Sequence, residues 1–223
     1  MVSGRCLFGP IAGPRFWLLL LCTNRTNRGL GKPIVFSNQV KRNGSRVVSM
    51  NVLIVYASVE GHTLKIAHFL RALVQRTGRE ATLVDAGEKA APAPLGGVDK
   101  TVIVAPIHRQ RHPARLEKYL RANKHLLNQH QTLFLSVSLC AAFPEGLDEA
   151  HSYVAELKER TGFSAKNSAC IAGALQFSKY HDYEAQVVRL IGLHLKQYEA
   201  TKLDHEFTDW PALETTVSGF LAA

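Results

Sequence analysis

From residue 50 onward, short apolar runs alternate with amphipathic stretches, and this alternation is the strongest constraint on the fold. The run "NVLIVYA" (51–57) is short and continuously apolar, which is typical of a strand covered on both faces. The following stretch, "TLKIAHFLRALVQRTG" (63–78), places apolar residues at helical spacing and ends on a glycine. Strands that alternate with helices predict βαβ units and an open parallel sheet.

The same pattern repeats along the chain and predicts an α/β fold class, a flavodoxin-like, doubly wound sheet of five parallel strands with helices on both faces. The predicted strands are 51–57, 80–86, 100–107, 131–140 and 168–175. The predicted helices are 63–78, 114–129, 147–162 and 208–222, the last with Asp209 as its cap. Ligands of such sheets bind beyond the strand C-termini, so the loops 57–63, 105–113 and 138–146 are the candidate site.

The net charge of +9 is concentrated in the first 49 residues, which hold eight Lys and Arg and no Asp or Glu. Residues 50–223 carry 19 basic and 18 acidic residues, so no nucleic-acid partner is predicted. We expect residues 1–49 to be a basic N-terminal extension, disordered or absent from the mature chain, and residues 50–223 to be one domain of the predicted fold. A start at Met50, a targeting peptide and a functional tail remain open. The apolar run Phe16–Cys22 is too short to cross a bilayer.

The cysteines predict no metal site. Cys6, Cys22, Cys140 and Cys170 show neither C-x-x-C spacing nor a His-Cys cluster. We therefore expect reduced thiols, with Cys140 and Cys170 as small core residues.

The first candidate loop, "YASVEGHT" (56–63), has S-x-x-G-x-T spacing between a predicted strand and a predicted helix. Glycine allows close approach to an anion, and N–H groups at a helix N-terminus favour phosphate. The spacing matches neither a Walker loop nor a G-x-G-x-x-G motif, which favours a mononucleotide. An ordinary turn capped by Thr63 is the alternative, and Glu60 is expected to point to solvent.

The second and third loops are less specific. The second, "APIHRQRHPARLEKYL", is rich in cations that either are solvated or face a cofactor ring or a carboxylate-bearing substrate. These cations are His108, Arg109, Arg111, His112 and Arg115. The third loop, "SVSLCAAFPEG", has small residues and Phe143 as an apolar wall, and structural and functional interpretations are equally open.

The segments "YASVEGHT", "VAPIHRQRHPARLEKYLRANKH", "FLSVSL", "CIAGALQFSKYHDY" and "FTDW" together resemble the flavodoxin-type, quinone-dependent protoporphyrinogen IX dehydrogenase family. The resemblance covers roughly residues 50–213. The block from "AGAL" to "TDW" is its most specific part, because ordinary flavodoxins lack it.

This resemblance implies FMN as a noncovalent cofactor, with its phosphate on the first loop and its ring between the other two. It names no catalytic residue. The implied cofactor-binding residues are Ser58, Val59, Glu60, Gly61, His62, Thr63, Pro106, Ile107, His108, Arg109, Ser138, Leu139, Cys140 and Ala141.

The resemblance also implies the reaction, which is oxidation of protoporphyrinogen IX to protoporphyrin IX in heme synthesis, with electrons passed to a membrane quinone. The implied location is cytoplasmic, with peripheral contact at the cytoplasmic face of the inner membrane. The amphipathic stretch Tyr183–Tyr198 either lies on that membrane or packs on its own sheet.

Two other functions remain open. An FMN electron carrier is disfavoured because such carriers are usually strongly acidic. A cofactor-free interaction module is disfavoured by the intact phosphate-loop residues. The sequence leaves the oligomeric state open.

Overall fold

The structure is a computed structural model that describes residues 50–87, 95–176 and 204–223. The predicted N-terminal extension and the stretch Tyr183–Tyr198 lie outside the described residues. The strands are β1 (Asn51–Tyr56), β2 (Glu80–Asp85), β3 (Lys100–Pro106), β4 (Thr132–Ser138), β5 (Asn167–Ala172), β6 (Ala174–Leu175) and β7 (His205–Glu206). The helices are α1 (His62–Arg76), α2 (Ala114–Gln129), α3 (Leu147–Thr161) and α4 (Trp210–Ala222).

The main sheet confirms the predicted fold class. Its five strands are parallel and stand in the order β2-β1-β3-β4-β5. Strand β1 pairs with β2 on one side and with β3 on the other. The chain therefore adds β2 on one side of β1 and the later strands on the other, and the switch point lies between β1 and β3. In an open α/β sheet this switch point leaves a crevice at the carboxyl ends of the strands.

Helices cover both faces of this sheet because successive strand residues point to opposite sides. On one face, Val52 and Ile54 of β1 pack with α1 and α4. On the other, Leu53 and Val55 pack with α2 and α3. Each fully buried aliphatic side chain of this kind contributes about 1.5–3 kcal/mol. The two cores therefore hold the sheet rigid beneath its loops.

The predicted fifth strand, 168–175, is wrong in one respect because the strand is interrupted at Gly173. The N–H of Gly173 donates to the Ser138 carbonyl at 3.0 Å, and its own carbonyl accepts from the Phe207 N–H at 3.0 Å. Beyond this point the chain forms β6, which pairs antiparallel with β7. The apolar run continues through Gly173, but its hydrogen-bond partners change.

The helix ends follow the local signals in the sequence. Gly162 adopts φ 71° directly after α3, and its N–H donates to the Lys158 carbonyl at 2.8 Å. At the start of α4, the Asp209 carboxylate accepts from the Ala212 N–H at 2.9 Å. The predicted Asp209 cap is confirmed.

Candidate functional site

The loops after β1, β3 and β4 lie together at the carboxyl edge of the sheet. The Ile107 N–H donates to the Val137 carbonyl at 2.7 Å, which fixes the second loop against β4. Arg115 at the start of α2 donates from Nη2 to the Ser58 carbonyl in the first loop. The structure therefore brings the three predicted groups of site residues to one edge.

Ser58 and Gly61 build the first loop. The Ser58 hydroxyl oxygen accepts from the Gly61 N–H at 3.1 Å and from the Leu64 N–H at 3.3 Å. Gly61 stands before α1 with φ 99°, a left-handed conformation that favours glycine. The alternative in which Thr63 caps the helix is wrong, because Thr63 lies buried inside the first turn.

The first turn of α1 presents N–H groups to an incoming anion. Within the described part of the chain, the backbone N–H groups of His62 and Thr63 donate no hydrogen bond. The first N–H groups of any helix lack intrahelical partners, and the helix dipole adds positive potential there. Val59, half-exposed, forms the outer rim of the loop. These features fit a phosphate group.

The expectation that Glu60 points to solvent is wrong. Its carboxylate Oε1 lies 3.1 Å from Nδ1 of His108 in the second loop, and its side chain is 21% exposed. The His108 side chain is 30% exposed. This contact draws the carboxylate toward the imidazole and joins the two loops across the switch point.

The second loop turns sharply between His108 and Arg111, which exchange two backbone hydrogen bonds of 2.9 and 3.3 Å. The two central residues, Arg109 and Gln110, have φ values of 52° and 61°. Such a turn usually carries Asn or Gly, so two larger side chains there store backbone strain. Pro106 ends β3 at the base of the loop, and the Arg109 side chain lies exposed at its tip.

Arg111, one of the predicted cations, binds a buried carboxylate away from the loop tip. It makes two hydrogen bonds, of 2.8 and 2.7 Å, to Glu117, whose side chain is 2% exposed. Arg160 and Arg121 donate to the same carboxylate at 3.0 and 3.2 Å. The hydrogen bonds from Arg111 lower the pKa of Glu117, opposed by its burial. Arg111 therefore holds the second loop against α2, and Arg160 connects α3 to the same carboxylate.

His112 is likewise buried rather than exposed to a ligand. It is 1% exposed, its Nε2 lies 3.1 Å from the Ser136 hydroxyl, and its ring packs against Phe134. Burial, with a contribution from the nearby Arg160 charge, lowers the pKa of His112 to about 3. His112 is thus neutral at physiological pH and contributes no cation to the edge.

The third loop is held by Ser138, whose hydroxyl accepts from the Ala141 N–H at 3.2 Å. Cys140 packs into a small core with Ala150 and Tyr153, and burial raises the pKa of its thiol to about 11. The predicted core position of Cys140 is confirmed. Leu139, which precedes it, is half-buried.

Three further residues at this edge were not predicted to act there. Thr208 lies 2.8 Å from Nε2 of His62, and Glu206 lies 2.6 Å from Nζ of Lys65. The ring of Phe207 packs edge-on against Phe143 at 5.6 Å. The segment "FTDW" was recognised by resemblance, but sequence spacing gives no signal for contacts between residues 146 positions apart.

The comparison with protein families decides the classification. The sequence model of the protein family described as "Flavodoxin domain" matches residues 53–202, well over half of the chain. This chain belongs to the flavodoxin domain family. FMN is accordingly its cofactor, and the first turn of α1 has the N–H groups that an FMN phosphate requires.

A curated relative of this flavodoxin-family chain is the Escherichia coli K12 protein named protoporphyrinogen IX dehydrogenase [quinone]. The two are 25% identical over 162 residues, which are 72% of this chain and 89% of the relative. The same match is found in two other E. coli strains. The identity is modest, but it extends over nearly the whole relative.

The chain also matches solved structures at lower identity. Oxidised flavodoxin 2 from Bacillus cereus is 19% identical, with a TM-score of 0.42 over 55% of this chain and 84% of that one. An NADH:FMN oxidoreductase (EMOB) in its apo form is 17% identical, with a TM-score of 0.41 over 74% and 99%. Scores this low add nothing to what the family match shows.

Residues 50–87, 95–176 and 204–223 contain neither a membrane-spanning helix nor a metal-binding cluster. No helix in these ranges is long and apolar enough to cross a membrane. The same ranges hold no group of three or more His, Cys, Asp and Glu side chains placed to bind a metal ion.

Proposed function

We propose that this chain oxidises protoporphyrinogen IX to protoporphyrin IX with FMN as its redox group and a membrane quinone as the electron acceptor. The observation that carries this proposal is the 25% identity to the E. coli dehydrogenase over 89% of that protein's length. A peripheral contact with the cytoplasmic face of the inner membrane, where the quinone is held, belongs to the same proposal.

The phosphate of FMN is assigned to the cradle 58–63. The free N–H groups of His62 and Thr63 face the position where an anion gains most from the helix dipole. Arg115 adds a positive charge beside the Ser58 carbonyl. The Glu60 carboxylate lies against His108 of the second loop, 3.1 Å from its Nδ1.

The ring of FMN is assigned to the space between the second and third loops. In that position Pro106, Ile107, His108 and Arg109 flank one side, and Ser138, Leu139, Cys140 and Ala141 flank the other. When bound, FMN supplies the two-electron redox chemistry that no side chain of the protein can supply. The protein contributes position and electrostatics, with Arg109 as the exposed cation nearest to a carboxylate-bearing substrate.

The aromatic contact between Phe143 and Phe207 supports the apolar wall predicted for the third loop. His205 packs against the same Phe207 at 4.3 Å, so three rings from two segments lie beside this loop. Such a partly buried aromatic group excludes water and favours ring-shaped substrates. We assign it to the substrate side of the site.

A spectroscopic titration tests the proposal. The purified protein is scanned for flavin absorbance, and protoporphyrinogen IX is then added under anaerobic conditions. Bleaching of the flavin bands, with recovery after a quinone is added, is the expected result. Flavin bands that ignore the porphyrinogen would overturn the substrate assignment and favour an electron carrier. A protein that stays colourless after incubation with FMN would overturn the cofactor assignment as well.

A further inference from the structure

His62 is the first residue of α1, and its side chain is buried in a hydrogen-bonded contact with the segment that leads into α4. The side chain is 8% exposed, and its Nε2 lies 2.8 Å from Oγ1 of Thr208. The same Oγ1 donates its proton to the Ala172 carbonyl at 2.7 Å. A hydroxyl has one proton to donate, so Nε2 of His62 must be the donor in its contact with Thr208.

Glu206 makes a second connection between the same two segments. Its Oε2 accepts from Lys65 of α1 at 2.6 Å, and its Oε1 accepts from Nε1 of Trp210 at 2.7 Å. Nδ1 of His62 lies 3.6 Å from Oε2 of Glu206. Burial is the main cause that lowers the pKa of His62, and it outweighs the raising effect of the Glu206 charge. Nε2 carries the donated proton in either protonation state of the ring.

The side chain of His62 is anchored at the junction between the first loop and α1. Gly61 immediately before it adopts φ 99°, and its N–H donates to the Ser58 hydroxyl at 3.1 Å. The N–H groups of His62 and Thr63 belong to the first turn of α1, where the Leu64 N–H also donates to that hydroxyl at 3.3 Å. The contact between His62 and Thr208 is a further restraint on this turn, from a segment outside the loop and the helix.

We propose that His62 is a positioning residue for the FMN phosphate, acting through its buried hydrogen bond to Thr208. The bond orients the backbone N–H groups of His62 and Thr63 in the cradle, so the segment 204–209 is part of the cofactor site without touching the cofactor. This inference rests on the cradle assigned under the proposed function.

The test compares FMN with riboflavin, which lacks only the phosphate. Dissociation constants for both are measured by quenching of flavin fluorescence in the wild type, His62→Leu and Thr208→Val. In both variants we expect FMN affinity to fall about tenfold, the equivalent of one hydrogen bond, while riboflavin affinity stays unchanged. An equal loss for FMN and riboflavin, or a lower melting temperature with neither affinity changed, would overturn the proposal.

Three further variants separate positioning from stability. His62→Gln keeps an amide N–H that can donate to Thr208, and Thr208→Ser keeps the hydroxyl, so both should retain the wild-type ratio of the two affinities. Thr161→Val is the matched control, because Thr161 is a buried threonine in α3 whose hydroxyl donates to Leu157 at 2.7 Å. It should lower the melting temperature and leave the ratio unchanged. If Thr161→Val also lost the preference for FMN over riboflavin, general destabilisation would be enough to explain the effect of the other variants, and the proposal would be overturned.

The same titration distinguishes this inference from the assignment beneath it. A wild type that binds riboflavin as tightly as FMN would overturn the phosphate cradle itself, and the role of His62 with it. A wild type that strongly prefers FMN, with variants that keep this preference, would overturn only the role of His62.

Discussion

Glu60 and His108 lie 3.1 Å apart, and the pair connects the loop after β1 to the loop after β3. These two loops border the switch point of the sheet, where ligands of this fold class bind. Both side chains are partly exposed, so water screens their interaction. The pair therefore connects the two loops at this edge.

A double-mutant cycle should detect this contact as a small coupling. Glu60→Gln, His108→Gln and the double variant are compared with the wild type by urea unfolding at one fixed pH. For a partly exposed pair we expect a coupling free energy of about 0.2–1 kcal/mol. Strictly additive effects would show that the two loops are held by other contacts.

Gly61→Val should abolish FMN binding. The residue adopts φ 99°, which costs a β-branched side chain at least about 1–2 kcal/mol and shifts the adjacent N–H groups. Absorbance of the protein after dialysis against FMN measures the bound flavin. Gly78→Val is the control, since Gly78 has φ 73° and a Cβ there would meet no atom within 4 Å. Stoichiometric FMN in Gly61→Val would contradict the phosphate-loop assignment.

His112 should make the protein less stable as the pH falls below 6.5. Its pKa is lowered to about 3 in the folded protein, so between these values the unfolded chain binds a proton that the folded chain does not. Stability is therefore fully present above pH 6.5 and declines toward pH 3, by about 2 kcal/mol between pH 7 and pH 5. Urea unfolding of the wild type and His112→Gln at both pH values measures the difference. Equal acid sensitivity in the two proteins would contradict a buried, neutral His112.

Glu117→Gln should destabilise the fold by about 3 kcal/mol, because it leaves three arginines beside a buried group that no longer balances them. The folded pKa of Glu117 is lowered, so its contribution is present above the ordinary carboxyl value of about 4.5 and is lost as the pH falls through the folded value. The difference in unfolding free energy between the wild type and Glu117→Gln should therefore become smaller in acid. Glu159→Gln, an exposed change on α3, should shift the unfolding midpoint little at any pH.

Deletion of residues 1–49 should leave folding and FMN binding unchanged. The family match begins at residue 53, and we propose that the domain starts at Met50, directly before β1. Circular dichroism and the flavin absorbance of the purified 50–223 chain check this. An insoluble or colourless product would show that the extension contributes to the structure.

The fold, and the edge of the sheet at which the three loops meet, could be predicted from sequence because the relevant signals are local. Continuous apolar runs indicate strands buried on both faces, period-3.6 patterns indicate helices with one buried face, and α2 begins and ends at Ala114 and Gln129 as predicted. The parallel order then places the loops after β1, β3 and β4 at one edge. The S-x-x-G-x-T spacing placed a glycine between a predicted strand and a predicted helix, and the structure shows Gly61 directly before α1 with φ 99°.

The side-chain partners within the site depended on tertiary structure alone. Glu60 finds His108, Arg111 turns to Glu117, and His62 reaches Thr208 from 146 residues away. Each of these contacts depends on how two elements pack, and a single sequence does not show which residues of different elements come into contact. The apolar pattern of this chain therefore determined the sheet and the edge where its three loops meet, whereas the packing of the loops and of the segment 204–209 decided which polar groups pair with one another.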